Sequence, residues 1–286
     1  MTHTKAQLSK KAMLVRLHIS SWSGRAKDTV VTNEVTATKK ASKDAGAWWT
    51  YLVPKTDMKE INDAVKKCRN IWWECTLPWN DDGCRIMSST MFLKYRDRIK
   101  AAEVEFMAAV DRFVDRYPDI VQHAKDRLGD LANTKQLPSQ YDIRSRFGLQ
   151  QTILPLPFGT DFRVDLSETD VSAIRDQIEA DCNAAITKAM TDIWCRLNEM
   201  VQKMHKTLKD PKKIFRDTLV TNITDFCKLI PDLNITDDDN LNALRDEVLA
   251  ELTKLKPDDL RKNQHQRKDI STKAEKILKK MEGYMA

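Results

Sequence analysis

Glycine and proline are scarce in this chain, seven and nine among 286 residues, which excludes the many tight turns of a sandwich or barrel. No apolar run approaches the roughly eighteen residues of a membrane-spanning helix. The N-terminal MTHTKAQLSKKAMLVRLHISSW is broken by Arg16 and His18 and carries no small-residue cleavage site, so a soluble cytoplasmic protein is expected. Six cysteines (Cys68, Cys75, Cys84, Cys182, Cys195, Cys227) match no CxxC framework, and reduced thiols are expected. The loops GxxxxGK[ST], GxGxxG and GxSxG and the HExxH helix are also missing, and the histidines are dispersed. With no nucleophile, acid–base pair or metal set, no catalytic residue, metal or cofactor is assigned, and the chain is expected not to be an enzyme.

What the chain has is charge, unevenly placed. Residues 1–59 carry eleven Lys/Arg against four Asp/Glu, and residues 253–286 carry ten against five. The stretch between them has 27 against 33, so an acidic middle is flanked by two basic ends. Basic ends suit phosphate backbones or an acidic partner.

It also has long helical periods. Phe92, Tyr95, Ile99, Ala102, Phe106, Ala109 and Phe113 recur at three- and four-residue steps behind a Ser88 or Ser89 cap, a coiled-coil spacing that Tyr117-Pro118 should end. A second stripe runs from Val171 to Leu208 behind Ser167, with Asp170 at the capping-box position. These two rods are expected to pack antiparallel. Between them TILPLPFGTDFRVDL alternates on a period of two, which predicts a hairpin, and with a strand over 12–20 it would make a small three-stranded sheet. Helices are also expected over 212–229 and, behind Asp237 to Asn240, over 241–254.

The fold class expected is therefore mainly α: a long antiparallel, coiled-coil-like helical pair, a small β-hairpin or three-stranded sheet, and C-terminal helices. Three consecutive segments follow: a Trp-rich α/β segment over 1–87, a helical hairpin over 88–209 with a β insertion at 151–166, and a C-terminal helical segment over 210–286. The basic tail of that last segment carries few apolar residues and is expected to be ordered by a partner.

Five of the seven tryptophans lie between Trp48 and Trp79, and a tryptophan-rich core is the expectation for most of them. Ile71 to Lys94 reads as the joint of that core, with Leu77-Pro78-Trp79-Asn80-Asp81-Asp82-Gly83 as a tight turn. Aromatic rings beside cations are also the composition that stacks single-stranded bases. The cations assigned to such contacts are Arg25, Lys27, Lys39, Lys40 and Lys43 at one end and Lys262, Arg267 and Lys268 at the other. Asp232-x-Asn234-x-Thr236 begins like a calcium loop but has Asp237 where glycine is needed, and it reads as a helix cap.

The strings SSWSGRAKD, YLVPK, TLPWNDDGCRI, YPDIVQHAKDRLGDL and LPLPFGTDFRVDL, in that order within about residues 12–200, resemble an uncharacterised family of bacteriophage and plasmid proteins classed as a domain of unknown function. The resemblance implies a phage or mobile-element origin and the cytoplasm of an infected bacterial host, with no active-site residues to carry over. Some members sit beside an ATPase of the MoxR type and a von Willebrand-like protein, which implies a protein partner. The function expected is a non-enzymatic, self-associating phage protein that binds nucleic acid, single-stranded DNA foremost. The alternatives are an adaptor for a phage ATPase assembly, an inhibitor of host defence, and a structural assembly protein.

Overall fold

The computed structural model describes residues 5–131 and 136–285. Its elements begin with α1 (Lys5–Lys11), β1 (Ala12–Ser20), β2 (Arg25–Asp28), α2 (Thr29–Thr38), β3 (Trp48–Tyr51), α3 (Lys59–Cys75), β4 (Leu77–Pro78) and β5 (Arg85–Ser88). They continue through α4 (Ser89–Asp115), α5 (Tyr117–Leu128), α6 (Gln140–Ile143), β6 (Gly148–Leu154), α7 (Glu168–Lys209), α8 (Thr218–Leu233), α9 (Asp239–Leu252), α10 (Pro257–Lys262) and α11 (Gln264–Met285). At 67% helix the protein is mainly α, as the low glycine and proline content predicts. Among the described residues no helix is long and apolar enough to cross a membrane.

The chain divides into two compact units, neither of them continuous in sequence. The first comprises the described residues of Met1–Arg16, Trp73–Tyr95 and Thr152–Ala286, and the second Leu17–Trp72 and Arg96–Gln151. These units do not coincide with the three consecutive segments expected, because β1, α3, α4 and β6 each run from one unit into the other.

In the first unit β4 and β5 form the hairpin around the Trp79–Gly83 turn, where Gly83 sits at φ 84 and the Asp82 carboxylate accepts from the Cys84 N–H at 3.0 Å. β1 joins antiparallel, with Leu14 opposite Ile86 and Val15 opposite Arg85, and the sheet order is β4-β5-β1-β6. The sheet thus has four strands, and β6 enters it alone. The second arm of the expected hairpin does not form: residues 162–166 are not a strand, and Val164 and Leu166 are exposed. That segment is spent on α7 instead. Gly159 lies so close to α7 that a Cβ there would be 2.8 Å from the Arg175 carbonyl, and the Phe162 carbonyl accepts from Arg175 at 3.2 Å.

Ser167 caps α7 at the Asp170 N–H as its capping box predicts, and 42 residues make a rod of about 63 Å. Its partner in a long antiparallel pair is α11, against the expectation that the α4 rod would fill that role. Trp194 stacks on Tyr284 at 5.1 Å, Asn198 meets Met281, and the His205 ring lies 2.9 Å from the Ser271 carbonyl, an order that runs the two helices in opposite directions. The tail is therefore ordered by its own chain. Ile270, Ala274, Ile277 and Met281, at steps of four, three and four, supply the buried face. α8 and α9 complete the unit, and the segment after Asp232 leads into a helix cap, as its sequence predicts: Asp238 accepts from the N–H groups of Asn240 and Leu241. Among the described residues no group of three His, Cys, Asp or Glu side chains is placed to hold a metal.

In the second unit α3 and the 96–115 part of α4 run antiparallel, tied by Lys67–Glu105 at 2.6 Å and Arg112–Glu60. The predicted α4 seam is buried from Tyr95 to Phe113, with Met91 rather than Phe92 at its start. Phe113 lies between Trp22, Tyr117 and Phe147 at centroid distances of 6.3, 5.6 and 5.9 Å. All six cysteines are free thiols. Burial raises the Cys68, Cys84 and Cys227 thiols, the last to about 12, which keeps them protonated and unreactive, while Cys195 is exposed.

Candidate nucleic-acid interface

The expected tryptophan core holds for Trp79, which is 7% exposed, and for Trp22 in the Phe113 cluster. It does not hold for Trp48, Trp49 and Trp73, which are 48%, 48% and 52% exposed. These rings are large apolar surfaces left in water, and each lies within reach of cations or of a short exposed sheet.

Trp48 and Trp49 lie in the two-stranded sheet of β2 and β3, whose connection runs through α2 and the basic loop after it. Asp28 ends β2 and starts α2: its carboxylate accepts from the Val31 N–H at 3.0 Å and from the Thr50 hydroxyl at 3.3 Å. Thr32 on α2 accepts from the Trp48 N–H at 2.9 Å, which fixes β3 against the helix. The edges are also tied, since Arg127 donates to the Tyr51 carbonyl and Gln136 to the Lys27 carbonyl. All of these groups belong to the second unit.

The register decides which side chains share a face. Arg25 is opposite Tyr51 and Lys27 opposite Trp49, while Ala26 is opposite the buried Thr50. Successive residues of a strand point to opposite faces, so Arg25, Lys27, Trp49 and Tyr51 stand together on the outer one. The Arg25 guanidinium lies 5.1 Å from the Trp49 ring, and the Lys55 ammonium 4.6 Å from the Tyr51 ring. Both are cation–π distances. Lys39, Lys40 and Lys43 are exposed in the loop that leads back to β3. Among the described residues no ion pair engages Arg25, Lys27, Lys39, Lys40 or Lys43, and residues 25–55 carry six Lys/Arg against three Asp/Glu. Two outward rings beside uncompensated cations can stack two bases and draw the phosphates that link them.

Comparison with protein-family models, curated proteins and solved structures returns no match. The functional reading of the chain therefore rests on its own geometry.

The other assigned residues lie in the first unit and separate from one another in role. Lys262 and Lys268 are exposed. Arg267 is 6% exposed and donates to the carbonyls of Leu208 at 3.2 Å, Thr207 at 2.9 Å, Asp210 at 2.5 Å and Lys213 at 2.7 Å. It closes the end of α7 from inside, so it is not an open contact for phosphate. Trp73 also serves the first unit, with Arg85 at 4.0 Å and Arg196 at 5.4 Å from its ring. Arg85 donates to the Thr76 hydroxyl and carbonyl, and Arg196 to the carbonyls of Trp73 and Thr76. Burial, and then the neighbouring Arg196, lower the Arg85 guanidinium to about 10, which leaves it charged at neutral pH. This stack joins the end of α3 to α7 and offers no free donors comparable to the β2–β3 face. Lys55 is the cation that sequence reading leaves out of the set; a period of two applied to residues 48–51 would have placed Tyr51 beside Trp49 and drawn attention to it.

Proposed function

We propose that the protein binds single-stranded nucleic acid through the outer face of β2 and β3, as a non-catalytic component of phage DNA metabolism. The observation that carries this is the placement of Trp49 and Tyr51, side by side and exposed, each under a cation that no carboxylate neutralises. Duplex nucleic acid hides its base faces, so exposed rings favour a single strand. In a polarisation titration with a labelled oligothymidylate, the Trp49→Ala/Tyr51→Ala variant should bind about 100-fold more weakly, since each base–aromatic stack contributes roughly 1–3 kcal/mol. Affinity should fall with salt at a log–log slope of about −3.5 if Arg25, Lys27, Lys39, Lys40 and Lys43 each meet a phosphate. Absence of binding at about 50 mM salt would sink the proposal.

Self-association belongs to the same reading. Val171, Ile174, Ile178 and Ile186, in the first half of α7, remain half-buried in the single chain, and a second copy would cover them. Light scattering is expected to show an oligomer; a monomer at all concentrations removes this part. An adaptor for a protein partner is the second reading, favoured by Val30 and Val35, which α2 exposes at 65% and 44% beside the same hairpin. It predicts a partner that survives nuclease treatment in pull-downs.

A further inference from the structure

A second basic surface lies in the first unit, around the loop that joins α7 to α8. An open cleft of about 580 Å³ is lined by Lys203 and Lys206 of α7, by Lys213, Ile214 and Arg216 of the loop, and by the first turn of α8. Glu199 is the one carboxylate among its lining residues, against four cations. Lys206 donates to Gln202 at 3.0 Å, and among the described residues none of the four cations is in an ion pair.

The loop is held from behind. Arg267 takes the carbonyls of Asp210 and Lys213, Arg261 takes the Phe215 carbonyl through two donors at 3.3 and 3.1 Å, and both guanidiniums lie within 5.4 Å of the Phe215 ring. Phe215 is thereby fixed at 8% exposure while Ile214 stands out at 94%. Lys203 and Lys206, three residues apart, occupy one side of α7 and face the same opening. Four like charges gathered around a braced concavity repel one another unless an anion enters, and the nearby Asp217 at the N-cap of α8 is engaged by Arg261. The volume falls within the ordinary range for small-molecule sites.

We infer that this cleft binds a free phosphate-bearing small molecule of nucleotide size, with Lys203, Lys206, Lys213 and Arg216 on its phosphates and Ile214 and Phe215 against its less polar part. The inference is independent of the β2–β3 face. Its test is calorimetric titration of the full chain with inorganic triphosphate and with ATP, alongside polarisation with oligothymidylate. Saturable binding at one site per chain is expected for both small probes, with ATP held at least as tightly. Lys203→Glu/Lys213→Glu, which changes only exposed side chains, should weaken both by about tenfold or more and leave the oligonucleotide affinity unchanged. Three results would overturn it: no saturable binding of either small probe, small-probe affinity unaltered in the variant, or a loss confined to the oligonucleotide. The last would make the cleft a contact for a polymer backbone.

Discussion

Replacing Phe113 by alanine is expected to cost about 4–5 kcal/mol, the upper part of the range for a buried phenylalanine. The side chain is 1% exposed and touches rings from three other parts of the second unit: Trp22 after β1, Tyr117 at the head of α5 and Phe147 just before β6. Each aromatic pair adds roughly 0.5–1.5 kcal/mol beyond the area it buries. The cavity would also loosen Tyr117, whose hydroxyl donates to the Pro138 carbonyl at 2.9 Å. Urea unfolding followed by tryptophan emission reads both effects, since Trp22 should shift to the red in the native baseline. A loss under about 1.5 kcal/mol would mean that the cluster repacks freely and is not the centre of this unit.

Arg267→Ala should destabilise the first unit by about 3–5 kcal/mol, since it leaves several buried carbonyls without a donor at roughly 1–3 kcal/mol each. The last carbonyls of a helix have no partner within it. In α7 those of Thr207 and Leu208 are answered by the Arg267 guanidinium, which also reaches Asp210 and Lys213 in the loop beyond. Without it these carbonyls lose charged donors worth roughly 1.5–3 kcal/mol each in place. Arg267→Lys keeps the charge but has no planar fork to span several acceptors, so it should recover less than half of the loss. Equal midpoints for the alanine variant and the parent in urea would show that water replaces the arginine at no cost.

Much of the architecture was legible from spacing. The α4 seam and the α7 stripe announce themselves because large apolar residues recur at every third or fourth position for many turns, and their caps at Ser88 and Ser167 are standard hydroxyl acceptors. α11 was not legible as a core helix. Its buried face is carried by Ala274, Met281, Ser271 and Arg267 as much as by Ile270 and Ile277, so an apolar count sees mostly a charged tail. The opposite error arose at 162–166, where Phe162, Val164 and Leu166 alternate as in a strand. Pro155 and Pro157 precede them, and the segment packs on α7 instead of pairing, with Gly159 against the Arg175 backbone and the Phe162 carbonyl accepting from Arg175.

The candidate site was half legible. Its cations were read from charge density, and five of them do lie in one unit around β2, α2 and the following loop. The pairing of β2 with β3 was not read, because Arg25-Ala26-Lys27-Asp28 has no apolar face and its partner strand lies beyond an intervening helix. Sequence also favoured burial of the rings. Tryptophan is apolar enough to justify that, and only the register shows Trp49 turned outward. Arg267 shows the converse: charge alone cannot tell a solvated arginine from one that closes a helix inside the fold.

The four passages of the chain between the units set an order on biosynthesis. Everything the second unit contains has been made once residue 151 has left the ribosome. The first unit begins earlier, at β1, yet its long helix must wait for α11 before Trp194 meets Tyr284, Asn198 meets Met281 and His205 meets Ser271. A nascent chain therefore carries a partly uncovered α7 until residues 264–285 have been made. A stop before Gln264 would leave the α11-facing side of α7 uncovered, a substrate for chaperones and proteases rather than a shortened but working protein.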